Sequence, residues 1–484
     1  MKPRKSAGPD GIVTEMIMAL EDYGIDKLTD VINKIYDTGE FPTDLSKSIF
    51  VAIPKKPGAI ECEHHRLISL MSHITKIIMR ILLLRARNRI TPEIGVEQFG
   101  FVKDSGTRNA IFTLKNLVER AIEMKRDVFL CFVDYTKAFD KVRHDSLFKD
   151  LKTLNLPGKD IRLLQHLYWH QKACVRVEGE LSEYTNIERG VRQGCVMSPD
   201  LFNLYTEFVM RAVERKRGFR IGGKNITNLR YADDTVLLAE SQRDLQKLID
   251  VLVRESERKG LSLNCKKTEC MVVSKKSATP QCELFVNGQK IQQVSNFNYL
   301  GSLITEDSRS EKEIRRRITL TKAAFYKLGN ILRNISITMK TRSRVLHCYI
   351  NPILMYGCKT WTLSKTTEKL LESCEMWLLR RMLRIPWTSH TTNEEVLKKA
   401  GTERSLLRNI RSRQGKFLGH AMRKEGLEQL SLTGKIQGKR AKGRQRTTFM
   451  MAWKEQMGQD QSKARLLQLT LDRDSWRHMV ANVK

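Results

Sequence analysis

Three carboxylates stand out for the chemistry their spacing allows. Asp233 and Asp234 are adjacent in Leu229-Arg230-Tyr231-Ala232-Asp233-Asp234-Thr235-Val236-Leu237-Leu238, between short β-prone flanks, as at the tip of a hairpin. Asp134 directly follows six apolar residues, Val128-Phe129-Leu130-Cys131-Phe132-Val133. Neighbouring like charges are costly unless water or a cation neutralises them. Hard carboxylate oxygens suit Mg²⁺, which takes one or two protein carboxylates together with substrate phosphates. Two such ions activate an attacking hydroxyl and stabilise the leaving oxygen of an in-line displacement. For an Asp-Asp pair alone, a solvated turn is the simpler explanation.

The elements around these acids are legible. The 128–133 run suits a strand buried on both faces that delivers Asp134 at its end. A second strand is expected over Ser48–Ile53, stopped by Pro54 and followed by the polar turn Lys55-Lys56-Pro57-Gly58. One helix is predicted to start at Ser198-Pro199-Asp200, with Ser198 as the capping hydroxyl, and to bury Leu201, Leu204, Tyr205, Phe208 and Ala212. Another runs from Ser241 to about Lys259, burying Leu245, Leu248, Ile249, Leu252 and Val253, and Gly260 supplies its stop. Strands alternate with amphipathic helices from about 127 to 305, an α+β pattern. Beyond 306 the chain reads as helical and basic. Residues 309–344 hold eleven Lys/Arg against two acids, and 435–446 hold six basic residues and no acid, the mark of a flexible segment.

The whole chain is basic: 86 Lys plus Arg against 54 Asp plus Glu among 484 residues, a formal charge of +32 that points to a polyanionic partner. A generally basic surface is the bland alternative. No apolar run approaches the roughly 20 residues that span a bilayer, so no membrane partner is expected. The ten cysteines form no C-x-x-C pair and read as reduced thiols of an intracellular protein, with nucleus and cytoplasm both open. Cys62, His64 and His65 look like a metal cluster only superficially. The start, Met1-Lys2-Pro3-Arg4-Lys5, is not a secretory signal.

The acids belong to a longer ordered set. Phe132-Val133-Asp134-Tyr135-Thr136-Lys137-Ala138-Phe139-Asp140 resembles motif A of reverse transcriptases, and Arg189-Gly190-Val191-Arg192-Gln193-Gly194-Cys195-Val196-Met197-Ser198-Pro199 resembles motif B. Tyr231-Ala232-Asp233-Asp234 resembles motif C, Gly260–Asn264 with Lys267-Thr268-Glu269 resembles motif D, and Phe297–Gly301 resembles the primer grip. Upstream, Lys5–Ile12, His65–Leu70 and Gln98-Phe99-Gly100-Phe101 resemble signatures of non-LTR retrotransposon enzymes. The resemblance is strong over about 2–305. It extends weakly to the end through Met355-Tyr356-Gly357 with Trp361, and Asp472-Arg473 with Trp476-Arg477.

That resemblance implies an α+β right-hand polymerase: fingers at 1–125, palm at 126–305, a helical thumb or connector at 306–400 and a basic C-terminal region at 401–484. It implies RNA-directed DNA synthesis with Mg²⁺ (Mn²⁺ as a substitute), an RNA template, a DNA primer and deoxynucleoside triphosphates; the oligomeric state stays open. Asp134 and Asp233 would be the main metal ligands, with Asp234 assisting. Phe139 would pack against the incoming sugar and reject a 2′-hydroxyl, although its type alone suits a core aromatic. Gln193 and Gly194 would line the nucleotide and template pocket. Lys55 and Arg66 would contact the triphosphate, Lys267 would protonate the leaving pyrophosphate, and the basic helices after 309 would grip the duplex; ordinary surface cations are the bland alternative for each.

Departures from the family pattern are small. His65-Arg66-Leu67 stands where a Tyr-Arg-Pro type sequence is usual, and Met197 where leucine is common. The chain starts at the upstream signature, leaving no room for the endonuclease common in the family, so a truncated element copy is expected. Two other functions compete: a nucleic-acid-binding remnant without catalysis, and a nucleotide cyclase with a related palm. Motif B, the primer-grip match and the basic thumb argue against the cyclase, which has no duplex to hold.

Overall fold

The computed structural model describes residues 2–276, 279–440, 445–456 and 462–482. Its centre is a five-stranded sheet in the order Gln292–Gln293, Glu269–Val273, Val128–Val133, Asp234–Ala239, Asn228–Tyr231. Val128–Val133 lies in the middle, antiparallel to both neighbours, with Cys131 opposite Leu237 on one side and Cys270 on the other.

Because side chains alternate along a strand, the central strand serves two cores. Cys131 and Val133 join Leu237, Ala239, Cys270 and Val272 beneath the helices Ser198–Glu214 and Gln242–Arg258. Val128, Leu130 and Phe132 join Val236, Leu238, Met271 and Val273 against the helix Thr107–Glu123 and the hairpin Asn296–Tyr299/Ser302–Thr305. Phe132 stacks on Phe297 with centroids 3.9 Å apart, tying that hairpin to the strand that leads to Asp134. The burial of 128–133 on both faces is as its apolar run predicts.

A second sheet places His65–Met71 antiparallel to Lys47–Pro54, which also pairs in parallel with Lys172–Val177. The first 125 residues therefore do not complete their own sheet, and a strand from beyond motif A joins it.

Local expectations meet the structure unevenly. Ser241 caps its helix by accepting from the Asp244 backbone N–H, and Gly260 lies just past the end at φ 74. Ser198 is not a cap. It is the first helical residue, Met197 takes the cap position, and no side chain caps this end. Of its expected face, Leu201, Leu204 and Tyr205 are buried while Phe208 and Ala212 stay half-buried. The helix buries Phe202, Asn203, Glu207 and Met210 instead, because it is covered from more than one side.

After residue 306, the helices Glu311–Lys327, Lys365–Met382 and Asn393–Ala400 gather around Ile314, Phe325, Leu354, Trp361, Leu371 and Leu379. The last core joins Phe417, Leu432, Trp453, Trp476 and Val480 to Phe112 of the Thr107–Glu123 helix. The 435–446 segment is not free along its described part. Lys435 accepts from Gly222 N, Ile436 is buried, and Arg446 donates to the carbonyls of Asp307 and Ser308 at 2.6 and 2.7 Å. Charge alone suggested flexibility, but a backbone donor at one end and backbone acceptors at the other hold it. Residues 441–444 lie outside the described residues. All ten cysteines are free. Among the described residues no helix is long and apolar enough to cross a membrane.

Candidate active site

Asp134 follows the last residue of the central strand. The register pairs Thr235 with Val133, so the next step sets Asp234 opposite Asp134. Asp233 sits in the tight turn between Asn228–Tyr231 and Asp234–Ala239, whose flanking pair is Tyr231 and Asp234. Three carboxylates from positions about a hundred residues apart thus share one sheet edge.

The turn is strained and clamped. Ala232 has φ 58, a left-handed conformation that β-carbon-bearing residues rarely adopt. Its N–H donates to Gln98 Oε1 at 3.0 Å, and the same oxygen accepts from Gly100 N at 2.8 Å. A β-carbon on Gly100 would stand 2.3 Å from Ala232 N, so only glycine permits this approach. Asp134 is fixed by the motif D segment: its carbonyl accepts from Asn264 N at 2.7 Å, and its own N–H donates to Thr268 Oγ1 at 3.4 Å.

The electrostatics are those of a site short of positive charge. Burial and then the repulsion of Asp233 and Asp134 push the Asp234 carboxyl up to about 6. Burial raises Asp233, helped by Asp134 and opposed by Arg66. Burial also raises Asp134, while Lys267, Asn264 and Lys55 pull it down. A cation among these oxygens would relieve the repulsion.

The cationic residues named from sequence face this edge. Lys267 Nζ lies 3.9 Å from Asp134 Oδ2 on a largely exposed side chain. Lys55 donates to the Glu63 carbonyl at 2.8 Å, and its charge acts on both Asp134 and Asp140. Arg66 is exposed on the neighbouring strand, paired with Ile53, and acts on Asp233.

Motif B bridges the two sheets. Val191 N donates to the Phe139 carbonyl at 2.8 Å, and the Gln193 carbonyl accepts from Ser69 N at 2.8 Å. Gly194 has φ 112, and a β-carbon there would lie 2.9 Å from Ser69 O. The close approach that demands glycine is therefore to protein backbone. Phe139 stacks on Phe202 at 4.1 Å and meets Phe101 edge-on at 6.4 Å.

The region from residue 53 to 304 matches the family described as Reverse transcriptase (RNA-dependent DNA polymerase), which is over half of the chain. The chain belongs to the reverse transcriptase family. Its relatives include an RNA-directed DNA polymerase from mobile element jockey of Drosophila funebris, 26% identical over 413 residues, covering 82% of this chain and 44% of the relative. A Pol polyprotein from the type-1 retrotransposable element R2 of Nasonia vitripennis is 29% identical over 309 residues, covering 62% of this chain and 29% of that one. The chain thus spans less than half the length of these curated relatives. Among solved structures, apo telomerase from Candida tropicalis aligns with a TM-score of 0.41 at 13% identity, covering 86% of this chain and 73% of that one.

Within this reverse transcriptase, no three His, Cys, Asp or Glu side chains among the described residues already close around one metal position. The donor set still fits Mg²⁺, which needs few protein carboxylates and takes the rest of its shell from phosphate and water. Three residues carry more than sequence reasoning assigned to them. Gln98 clamps the catalytic turn. Asp140 accepts from Gln193 Nε2 at 3.4 Å beside Lys55. Asn264 holds Asp134. Each stood inside a recognised motif, yet partners 53 to 134 positions away give no local signal.

Proposed function

We propose that this chain is an RNA-directed DNA polymerase of a non-LTR retrotransposon, extending a DNA primer on an RNA template. The observation that carries this reading is the meeting of Asp134 with Asp233 and Asp234 at one sheet edge inside the family region. Asp134 and Asp233, assisted by Asp234, would hold two Mg²⁺ ions, with Mn²⁺ as a substitute. When bound, these supply positive charge for a primer hydroxyl, the reacting phosphate and the leaving pyrophosphate.

Lys55 and Arg66 would receive the triphosphate of a deoxynucleotide, Arg66 through its two-pronged guanidinium. Lys267, exposed and beside Asp134, is placed to give a proton to the departing pyrophosphate. Phe139, held by Phe202, would set the wall against a 2′-hydroxyl, while Gln193 and Gly194, beside Ser69, would line the nucleotide and template pocket. The fingers, palm, helical thumb and basic C-terminal region would follow the divisions 1–125, 126–305, 306–400 and 401–484. Ten free thiols support an intracellular setting.

The test is primer extension on an RNA template with Mg²⁺ and deoxynucleotides, beside Asp233→Ala. Extension by the parent chain alone supports the polymerase. A folded, template-binding chain that never extends the primer would leave a binding remnant.

A further inference from the structure

We infer that Arg108, Lys359 and Arg413 form a phosphate-binding patch for the backbone of the primer–template duplex. The inference rests on the polymerase reading and adds a contact that motifs A to D do not contain. The three residues come from three segments: the start of the Thr107–Glu123 helix, the turn Cys358–Thr360, and the Leu406–Arg423 helix. Two of them lie beyond the 53–304 region.

Two of them meet over one buried ring. The Arg108 guanidinium carbon lies 5.8 Å from the centroid of Phe417, and Lys359 Nζ lies 5.9 Å from the same centroid. Arg413 stands one helical turn before Phe417. Burial and then the charge of Arg108, with Arg413 adding, hold the half-buried Lys359 ammonium below the usual lysine range.

Among the described residues, none of the three has an ion pair or hydrogen bond, and no Asp or Glu acts on the Lys359 charge. Nearby cations are treated differently. Arg411 pairs with Glu368 at 2.7 Å, and Arg317 with Glu313 at 2.6 Å. Acids are therefore available to this part of the chain, and the trio is left without one. The positive end of the Thr107–Glu123 helix, with no side-chain cap and no acid in its first turn, adds to the same field. Clustered like charges destabilise the free protein and favour a polyanion.

Location favours the duplex as that polyanion. Arg108 follows by seven residues Phe101, whose ring lies 6.4 Å from Phe139 at the proposed nucleotide pocket. Lys359 follows by three residues Tyr356, whose hydroxyl donates to the Leu300 carbonyl of the primer-grip hairpin at 2.7 Å. The chain thus links the patch to the proposed nucleotide pocket on one side and to the hairpin that resembles the primer grip on the other. Phosphate contacts of this kind set position and affinity without reading sequence.

The experiment measures binding of a labelled RNA template annealed to a DNA primer by the full chain, without Mg²⁺ or nucleotides, across about 50 to 200 mM salt. The triple variant Arg108→Gln/Lys359→Gln/Arg413→Gln is expected to bind at least about ten-fold more weakly at the low-salt end. Its slope of log affinity against log salt should be shallower by about two to three, since roughly 0.9 of a counterion is released per phosphate neutralised. The charge-keeping Arg108→Lys/Arg413→Lys should retain the parent slope. A control of three exposed lysines elsewhere, Lys34→Gln/Lys152→Gln/Lys247→Gln, should change it by less than about one. A parent-like slope in the patch variant, or an equal loss in the control, overturns the patch. Primer extension is read separately. Patch-dependent binding by a chain that extends nothing would sink the polymerase reading and keep the patch; extension by the parent chain, with a parent-like slope in the variant, would do the reverse.

Discussion

Gln98 Oε1 accepts a hydrogen bond from Ala232 N at 3.0 Å, joining a loop before motif A to the catalytic turn 134 positions later. Because the same oxygen also takes the Gly100 N–H, one side chain satisfies two buried donors and holds a left-handed backbone in place. Gln98→Ala is expected to leave both donors unpaired, costing about 1–3 kcal/mol for each. Chemical denaturation checks the stability. Single-nucleotide incorporation should fall by at least about ten-fold, because small misplacement of catalytic groups has large effects on rate. Unchanged incorporation would show that the turn holds itself.

The carboxylate edge should trade stability for activity. Asp234→Asn removes one of three repelling charges, so the metal-free protein should gain stability by less than about 1 kcal/mol, since solvent reaches this residue and screens the effect. Thermal unfolding with and without Mg²⁺ checks this. The parent chain should gain more from Mg²⁺ than the variant does, and equal gains would argue that the ion binds elsewhere.

Gly194→Ala should damage the joint between the sheets. At φ 112, with Ser69 O 2.9 Å from the added carbon, an alanine must shift backbone on one side or the other. A loss of roughly 1–3 kcal/mol is expected, with a raised KM for the deoxynucleotide because Gln193 moves with it. Parent-like stability and KM would contradict the constraint.

Lys115 predicts a pH effect away from the active site. Its ammonium is buried without a hydrogen bond, and burial pushes it down to about 8, against the attraction of Glu313 and Glu119. A lysine lowered in the fold penalises folding while charged. That penalty is full below about pH 8 and fades as pH rises from about 8 towards 10.5. Lys115→Met should therefore stabilise the chain near pH 7 by up to about 3 kcal/mol, and the advantage should shrink above pH 8. Denaturant midpoints at pH 7 and pH 10 test the sign; an advantage that grows with pH would refute it.

What the sequence by itself determined was local and chemical. The strand ending at Asp134, the hairpin tip carrying Asp233 and Asp234, the helix start at Ser241 and the Gly260 stop all follow from periodicity and turn chemistry within a few residues. The family motifs added an order of functional parts. Tertiary structure alone decided which backbone groups those parts would meet. It made Ser198 a first-turn residue behind Met197, bound one end of a basic segment to the carbonyls of Asp307 and Ser308 and the other to Gly222, and set Gln98 under Ala232. Among the described residues, it also left Arg108, Lys359 and Arg413 together without an ion pair. These outcomes depend on burial and on partners tens to hundreds of residues away, and a hydrogen bond or an unpaired charge of that kind leaves no periodic trace in the chain that makes it.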